Sequence, residues 1–220
     1  MIITIDGPAA AGKGTVSGIV AQKYGFAYFD TGMLYRAVGL GTVLNGHKPE
    51  DKAAAIEVSA KLDFPKMIEL SKNPDFRSNV GSLAASVVSQ YPEVRENLLA
   101  LQRNFAKNPK FADGKAANGV VYDGRDTGTV VFPNADLKFF ITAELKERAL
   151  RRYNEYVEKG RNTSFEEVLE AMRLRDEKDI NRAAAPLKPA ADAVLIDTTK
   201  MKIDDVVNQI SALIEEKQVK

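Results

Sequence analysis

No cysteine occurs among the 220 residues, which removes disulfides and thiolate metal sites and points to a reducing compartment. A single histidine, His47, removes multi-histidine metal centres and histidine-based triads; between Gly46 and Pro49 it reads as a loop residue. No apolar run approaches the ~20 residues of a membrane span, and no basic leader with a cleavage site opens the chain. An excess of one charge is also missing. The 31 basic and 30 acidic side chains leave +1, which argues against a whole-chain nucleic-acid surface. What is present is 45% hydrophobic and 28% charged residues, the mixture of an ordinary globular chain. That length can bury about 70% of its unfolded surface. The expectation is a soluble, cytoplasmic monomer with no membrane partner.

Five short apolar runs read as buried strands: Ile2–Ile5, Phe26–Phe29, Val120–Tyr122, Leu137–Ile141 and Val194–Ile196. They are too short for helices and mostly do not alternate, as in a parallel sheet covered on both faces. Helical patterns lie between them, clearest in Ile203, Val206, Val207, Ile210, Leu213 and Ile214, and again from Ala143 to Lys159. This is an α/β chain with a doubly wound five-stranded parallel sheet. The expected organisation is a single domain, 1–220, with a core of about 1–60, 93–148 and 183–220. An insertion of about 61–92 has turns at Pro65 and Asn73-Pro74 and a helix through Val80–Tyr91. A charged, Arg-rich excursion of about 149–182 reads as partly detached from the core.

The strongest motif follows the first strand: Gly7-Pro8-Ala9-Ala10-Ala11-Gly12-Lys13-Gly14-Thr15 and then a helix. This is the strand, Gly-x-x-x-x-Gly-Lys and helix of a phosphate-binding loop. Glycines permit the turn, successive N–H groups form an anion nest, and the helix adds its positive end. Lys13 can bridge the outer phosphates, and Thr15 offers a hydroxyl to Mg²⁺. Gly14 departs from the usual pattern, where the hydroxyl residue directly follows the lysine. The D-x-x-G and N-K-x-D of a GTP-hydrolysing switch are absent, and Asp123 is followed by Gly124 rather than by a water-activating glutamate. The acceptor is then something other than water. A phosphate monoester fits, because its second pKa of ~6 leaves the oxygen already ionised. Such an acceptor needs positioning and positive charge, and 7 of the 12 arginines lie between Arg148 and Arg182.

Four segments together resemble the bacterial cytidylate kinases, a family of P-loop nucleoside monophosphate kinases. They are the loop at 7–15, Asp30-Thr31-Gly32-Met33-Leu34-Tyr35-Arg36, the run from Asp123-Gly124-Arg125-Asp126 to Pro133, and Arg175-Asp176-x-x-Asp179-x-Asn181-Arg182. The resemblance runs over nearly the whole chain. It implies transfer of the γ-phosphate of ATP to CMP or dCMP with Mg²⁺, an acceptor-binding insertion and a lid at about 149–182. The family's insertion usually carries a small extended sheet, for which the stretch after Leu62 is short.

Carried onto this sequence, Gly7 to Thr15 and Arg151 hold ATP, with Arg148 and Arg152 beside Arg151 at the lid approach. Thr31, Tyr35, Arg36, Ser86, Arg95, Arg103, Arg125, Asp126, Arg175, Asp179 and Arg182 hold CMP. Lys13, Arg125 and Arg182 act on the transferring group, and Asp123 reaches Mg²⁺ through water. Asp126 would accept from the cytosine amino group, which uracil lacks. Plainer readings stand beside these. Thr31 serves as a helix cap, Tyr35 as a core aromatic, Ser86 as a helix-interior serine, and Arg36, Arg95, Arg103, Arg148, Arg151 and Arg152 as solvated charges. Arg175, Asp179 and Arg182 at i, i+4 and i+7 form a salt-bridge ladder on one helix face. Rival functions are a kinase for another small acceptor such as UMP or a sugar acid, a nucleotide sensor without catalysis, and a nucleic-acid-binding role for the Arg-rich stretch.

Overall fold

The computed structural model describes residues 1–219. Within them the chain separates into two compact units, one of residues 1–29 with 109–219 and one of residues 30–108. This division is wider than the 61–92 insertion drawn from composition, because the helices on both sides of that stretch pack with it.

The first unit is built on the sheet. Its strands are β1 (Ile2–Asp6), β2 (Ala27–Asp30), β3 (Val120–Gly124), β4 (Leu137–Thr142) and β5 (Val194–Asp197), in the order β2-β3-β1-β4-β5. All five follow the apolar runs and extend them by one or two residues at the carboxyl end. The sheet is parallel; Ile3 of β1 stands opposite Val121 on one side and Leu137 on the other. Because helices cover both faces, buried side chains pointing either way are mostly apolar, with Thr4 and Lys138 among the exceptions. Ile3, Ile5, Val121, Phe139, Ile141 and Ile196 join Val16 and Val20 of α1 (Lys13–Tyr24) and Ile210 and Ile214 of the last helix (Ile203–Val219) in one core. A side chain of that kind stabilises the fold by about 1.5–3 kcal/mol on full burial. Gly25 ends α1 in the left-handed conformation, φ 65°, its N–H returning to the Ala21 and Gln22 carbonyls.

The unit of residues 30–108 contains only helices among its regular elements. These are α2 (Gly32–Leu44), α3 (Lys52–Ala60), α4 (Phe64–Ser71), a short 3₁₀ turn (Pro74–Arg77), α5 (Asn79–Val88) and α6 (Pro92–Lys107). The turn expected at Pro65 is instead the start of α4: proline fits the first turn of a helix, and Asp63 caps it, accepting from Lys66 N at 2.8 Å. The helix expected through Tyr91 stops at Val88, and Pro92 opens α6. Ser78 Oγ accepts from Val80 N at 3.1 Å to start α5. The α2 and α5 backbones approach closely at Gly39, where a Cβ would lie 2.7 Å from the Ala84 carbonyl carbon.

Back in the first unit, α7 (Leu145–Glu158) and α8 (Phe165–Asn181) follow β4, and the final helix is α9. The segment read as partly detached has a small core of its own, Ala149, Val168 and Met172, flanked by Tyr153 and Phe165. A capping box starts α8: Ser164 Oγ accepts from Glu167 N at 3.1 Å, and Ser164 N donates to Glu167 Oε2 at 2.9 Å.

Candidate active site

The phosphate loop joins β1 to α1. Gly7 has φ 147°, and a Cβ there would sit 1.9 Å from the Ile141 carbonyl oxygen, so no side chain fits. Ala10 and Gly12 also take positive φ, 59° and 93°, which turns the loop into the concave nest expected of the motif. Two side chains brace it from behind. The Thr198 hydroxyl lies 3.1 Å from the carbonyls of Ala11 and Thr142, and Arg148 Nη1 donates to Ala9 O at 3.2 Å.

Lys13 is 5% exposed, with Nζ 2.9 Å from the Pro8 carbonyl it donates to and 3.7 Å from Asp123 Oδ1. Burial, followed by the charge of Arg125, lowers its ammonium to about 8, against the opposing pull of Asp123 and Asp6. Asp123, at the carboxyl end of β3, also accepts from the Tyr28 hydroxyl at 3.2 Å. Gly14 faces this pair: a Cβ there would meet Asp123 Oδ2 at 3.3 Å and the Tyr28 hydroxyl at 3.4 Å. A larger residue at position 14 would press on the carboxylate, which would have to give by a few tenths of an ångström, and would touch the phenol. Thr15 is exposed in the first turn of α1.

A second cluster follows β3. Arg125 Nε donates to Asp179 Oδ2 at 3.1 Å, and Nη1 donates to the Gly124 carbonyl at 3.1 Å. Arg182 Nη1 is 3.8 Å from Asp179 Oδ1, and Nη2 is 3.6 Å from Asp126 Oδ1. Burial pushes the Asp179 carboxyl up, but Arg125, Arg175 and Arg182 together outweigh that and hold it below its usual value. The i, i+4, i+7 arithmetic needs one correction. Arg182 lies beyond the last residue of α8, in extended conformation with ψ 141°. It reaches Asp126 because the chain leaves the helix there; Arg182 Nε donates to the Ala185 carbonyl at 2.6 Å.

In the unit of residues 30–108, Thr31 is buried at the amino end of α2, but its side chain makes no capping hydrogen bond. Asp30 replaces it, accepting from Gly32 N at 2.9 Å and lying 3.8 Å from Arg36 Nη1. Arg95 stacks over the Tyr35 ring at 5.1 Å and donates to the Ser89 carbonyl at 3.0 Å. It is 9% exposed, so the solvated-charge reading fails for Arg95. Ser86 is half-buried on α5, and Arg103 is exposed on α6.

Residues 3–216 match the family model described as cytidylate kinase. The chain belongs to the cytidylate kinase family. The cytidylate kinase of Rhodospirillum rubrum is 43% identical over 220 residues, spanning 100% of both chains. That of Cereibacter sphaeroides strain KD131 is 45% identical over 216 residues, 98% of this chain and 96% of the other. A solved structure of an uncharacterised protein from Eubacterium ventriosum shares the fold at TM-score 0.56 and 13% identity, over 98% of each chain. As a cytidylate kinase, the protein transfers a phosphoryl group to CMP.

Two side chains at this site, Asp6 and Tyr28, escaped the sequence reading. Asp6, 4% exposed, accepts from Thr127 N at 2.8 Å, Thr127 Oγ1 at 2.8 Å and Gly128 N at 2.7 Å. It thereby anchors the π-helical turn Thr127–Val131 that follows Asp126. Burial raises its carboxyl to about 6 although those hydrogen bonds favour the ionised form; Asp126 adds to the rise. Tyr28 orients Asp123, as above. Arg148, read as a lid residue near ATP, is 5% exposed and contacts the Ala143 and Ala9 carbonyls and Asp176. Arg151 binds Thr198, donating to its carbonyl at 2.7 Å, and pairs with Glu147 at 3.0 Å. Arg152 pairs with Glu155 at 2.9 Å.

Proposed function

We propose that this kinase uses ATP and Mg²⁺ to convert CMP or dCMP to the diphosphate, by in-line transfer without a protein base. What carries the reading is the concentration, in one unit, of the phosphate loop, Lys13, Asp123 and the Arg125–Asp179–Arg182 cluster. The loop amides and Lys13 would hold the donor phosphates, with Arg151 nearby. Lys13, Arg125 and Arg182 would neutralise charge that develops on the transferring group. Magnesium characteristically takes one or two carboxylates, with waters and substrate phosphates completing its shell. Asp123, 3.7 Å from Lys13, with the Asp6 carboxylate immediately before Gly7, suits that habit. Asp123 would hold the ion through water and Thr15 through its hydroxyl. The ion would supply charge neutralisation at the donor phosphates.

CMP binding falls to Arg125, Asp126, Arg175, Asp179 and Arg182 and, in the helical unit, to Thr31, Tyr35, Arg36, Ser86, Arg95 and Arg103. The CMP phosphate has a second pKa of ~6 and arrives ionised near neutral pH, so arginines suffice. The protein would act as a monomer in the cytoplasm on small nucleotides, without nucleic-acid or membrane partners. The near-zero net charge supports the part about nucleic acid. A coupled ADP-release assay across CMP, dCMP, UMP, AMP and shikimate tests the reading. CMP and dCMP should turn over fastest, and equal or faster turnover of UMP would refute the cytosine assignment.

A further inference from the structure

Arg148 is a buried node between three segments of the first unit. Nε donates to the Ala143 carbonyl at 2.8 Å, where β4 runs into α7. Nη1 donates to the Ala9 carbonyl in the phosphate loop at 3.2 Å. Nη2 stands 2.7 Å from Asp176 Oδ2 on α8. Asp176 is 9% exposed and sits next to Arg175, one turn before Asp179. One planar guanidinium therefore ties the loop that takes the donor phosphates to the helix whose neighbouring residues face the acceptor cluster.

The pair is a poor design for stability alone. Asp176 Oδ1 is buried with no hydrogen-bond partner, and an unsatisfied buried carboxylate oxygen costs free energy that an apolar pair of similar volume would avoid. The fork geometry of arginine fixes distance and direction at once, which a lysine does not do. In-line transfer is sensitive to such distances: a displacement of about 1 Å costs on the order of 10²-fold in rate.

We infer that Arg148 and Asp176 are positioning residues for phosphoryl transfer, setting the place of α8 against the phosphate loop rather than touching either nucleotide. The inference rests on the assignment of Arg175 and Asp179 to CMP. The test uses Arg148→Lys, Asp176→Asn and the double variant of the full chain. Steady-state kinetics are read against both substrates, together with the ratio of ADP formed to CDP formed. Asp176→Asn should lower kcat about ten- to a hundredfold and raise the ADP-to-CDP ratio above one, because a helix out of place admits water to the donor. The double variant should be no slower than the slower single. A melting-temperature loss with kcat, KM and the ADP-to-CDP ratio unchanged overturns the inference, as do losses that multiply in the double variant. If Arg148→Lys does not fold, Asp176→Asn, which keeps the side chain's shape, decides alone. Failure of the underlying assignment shows separately: Arg175→Met and Asp179→Asn would then leave the KM for CMP unchanged.

Discussion

Replacing Asp6 by asparagine isolates the cost of a charge buried at the mouth of the sheet. The side chain keeps its shape, but one of its two accepting oxygens becomes an amide donor that faces the N–H of Thr127 or Gly128. With its carboxyl raised from 3.8 to about 6, Asp6 binds its proton more tightly in the folded chain than in the unfolded one. Its contribution to stability is therefore complete below pH 3.8 and is lost as pH rises through about 6. The full loss is about 3 kcal/mol, of which about 1.4 kcal/mol falls between pH 5 and pH 7.5. Over that interval the stability advantage of the native protein over Asp6→Asn should shrink by about 1.4 kcal/mol. Urea unfolding of both proteins at several pH values reads the difference, and the asparagine variant cancels every other titrating group. Activity is the poorer readout, because CMP itself titrates near pH ~6. Carboxyl-carbon NMR of Asp6 gives the midpoint directly. A midpoint near 4, or a stability gap that does not move with pH, would show that the three hydrogen bonds outweigh desolvation and that the reasoning is wrong.

Lys13→Ala should lower turnover at least about a hundredfold while the circular dichroism spectrum stays native; near-normal turnover would remove the phosphate loop from the chemistry. Asp126→Asn should narrow the preference for CMP over UMP in kcat/KM, and an unchanged ratio would place base reading elsewhere. Gly39→Ala should destabilise the helical unit by about 1–3 kcal/mol, since its methyl group meets the α5 backbone at 2.7–2.9 Å. Urea unfolding measures this, and no loss would mean that α2 and α5 can part without cost.

The strands were legible because each is a short apolar run; in the central β1 and β3 it is buried on both faces, while the edge strands β2 and β5 expose Tyr28 and Leu195. The phosphate loop was legible because all its parts are contiguous. The helical unit was harder. Pro65 reads as a turn, whereas it opens a helix, and the deciding cap at Asp63 is a single side chain. Spacing alone carried Arg175, Asp179 and Arg182 along one helix face, and only the backbone turn after Asn181 takes Arg182 off it. Asp6 went unremarked, and Arg148 reads from sequence only as a charge at the lid approach, for a different reason. The Asp6 partners lie 121 or 122 residues away, and two of the three Arg148 partners, Asp176 and Ala9, lie 28 and 139 away; no local pattern encodes a pairing at that range. The one available sign was a carboxylate placed where a parallel strand leaves the core.

The oxygen of Ile141 takes up the volume in which any substituent on residue 7 would have to grow. The bend that opens the nest is thus shaped by a neighbouring strand as much as by its own glycine. Loop and strand behave as interlocking parts of one mould, and a change to the inner edge of β4 would be felt as a change in how tightly a triphosphate is gripped.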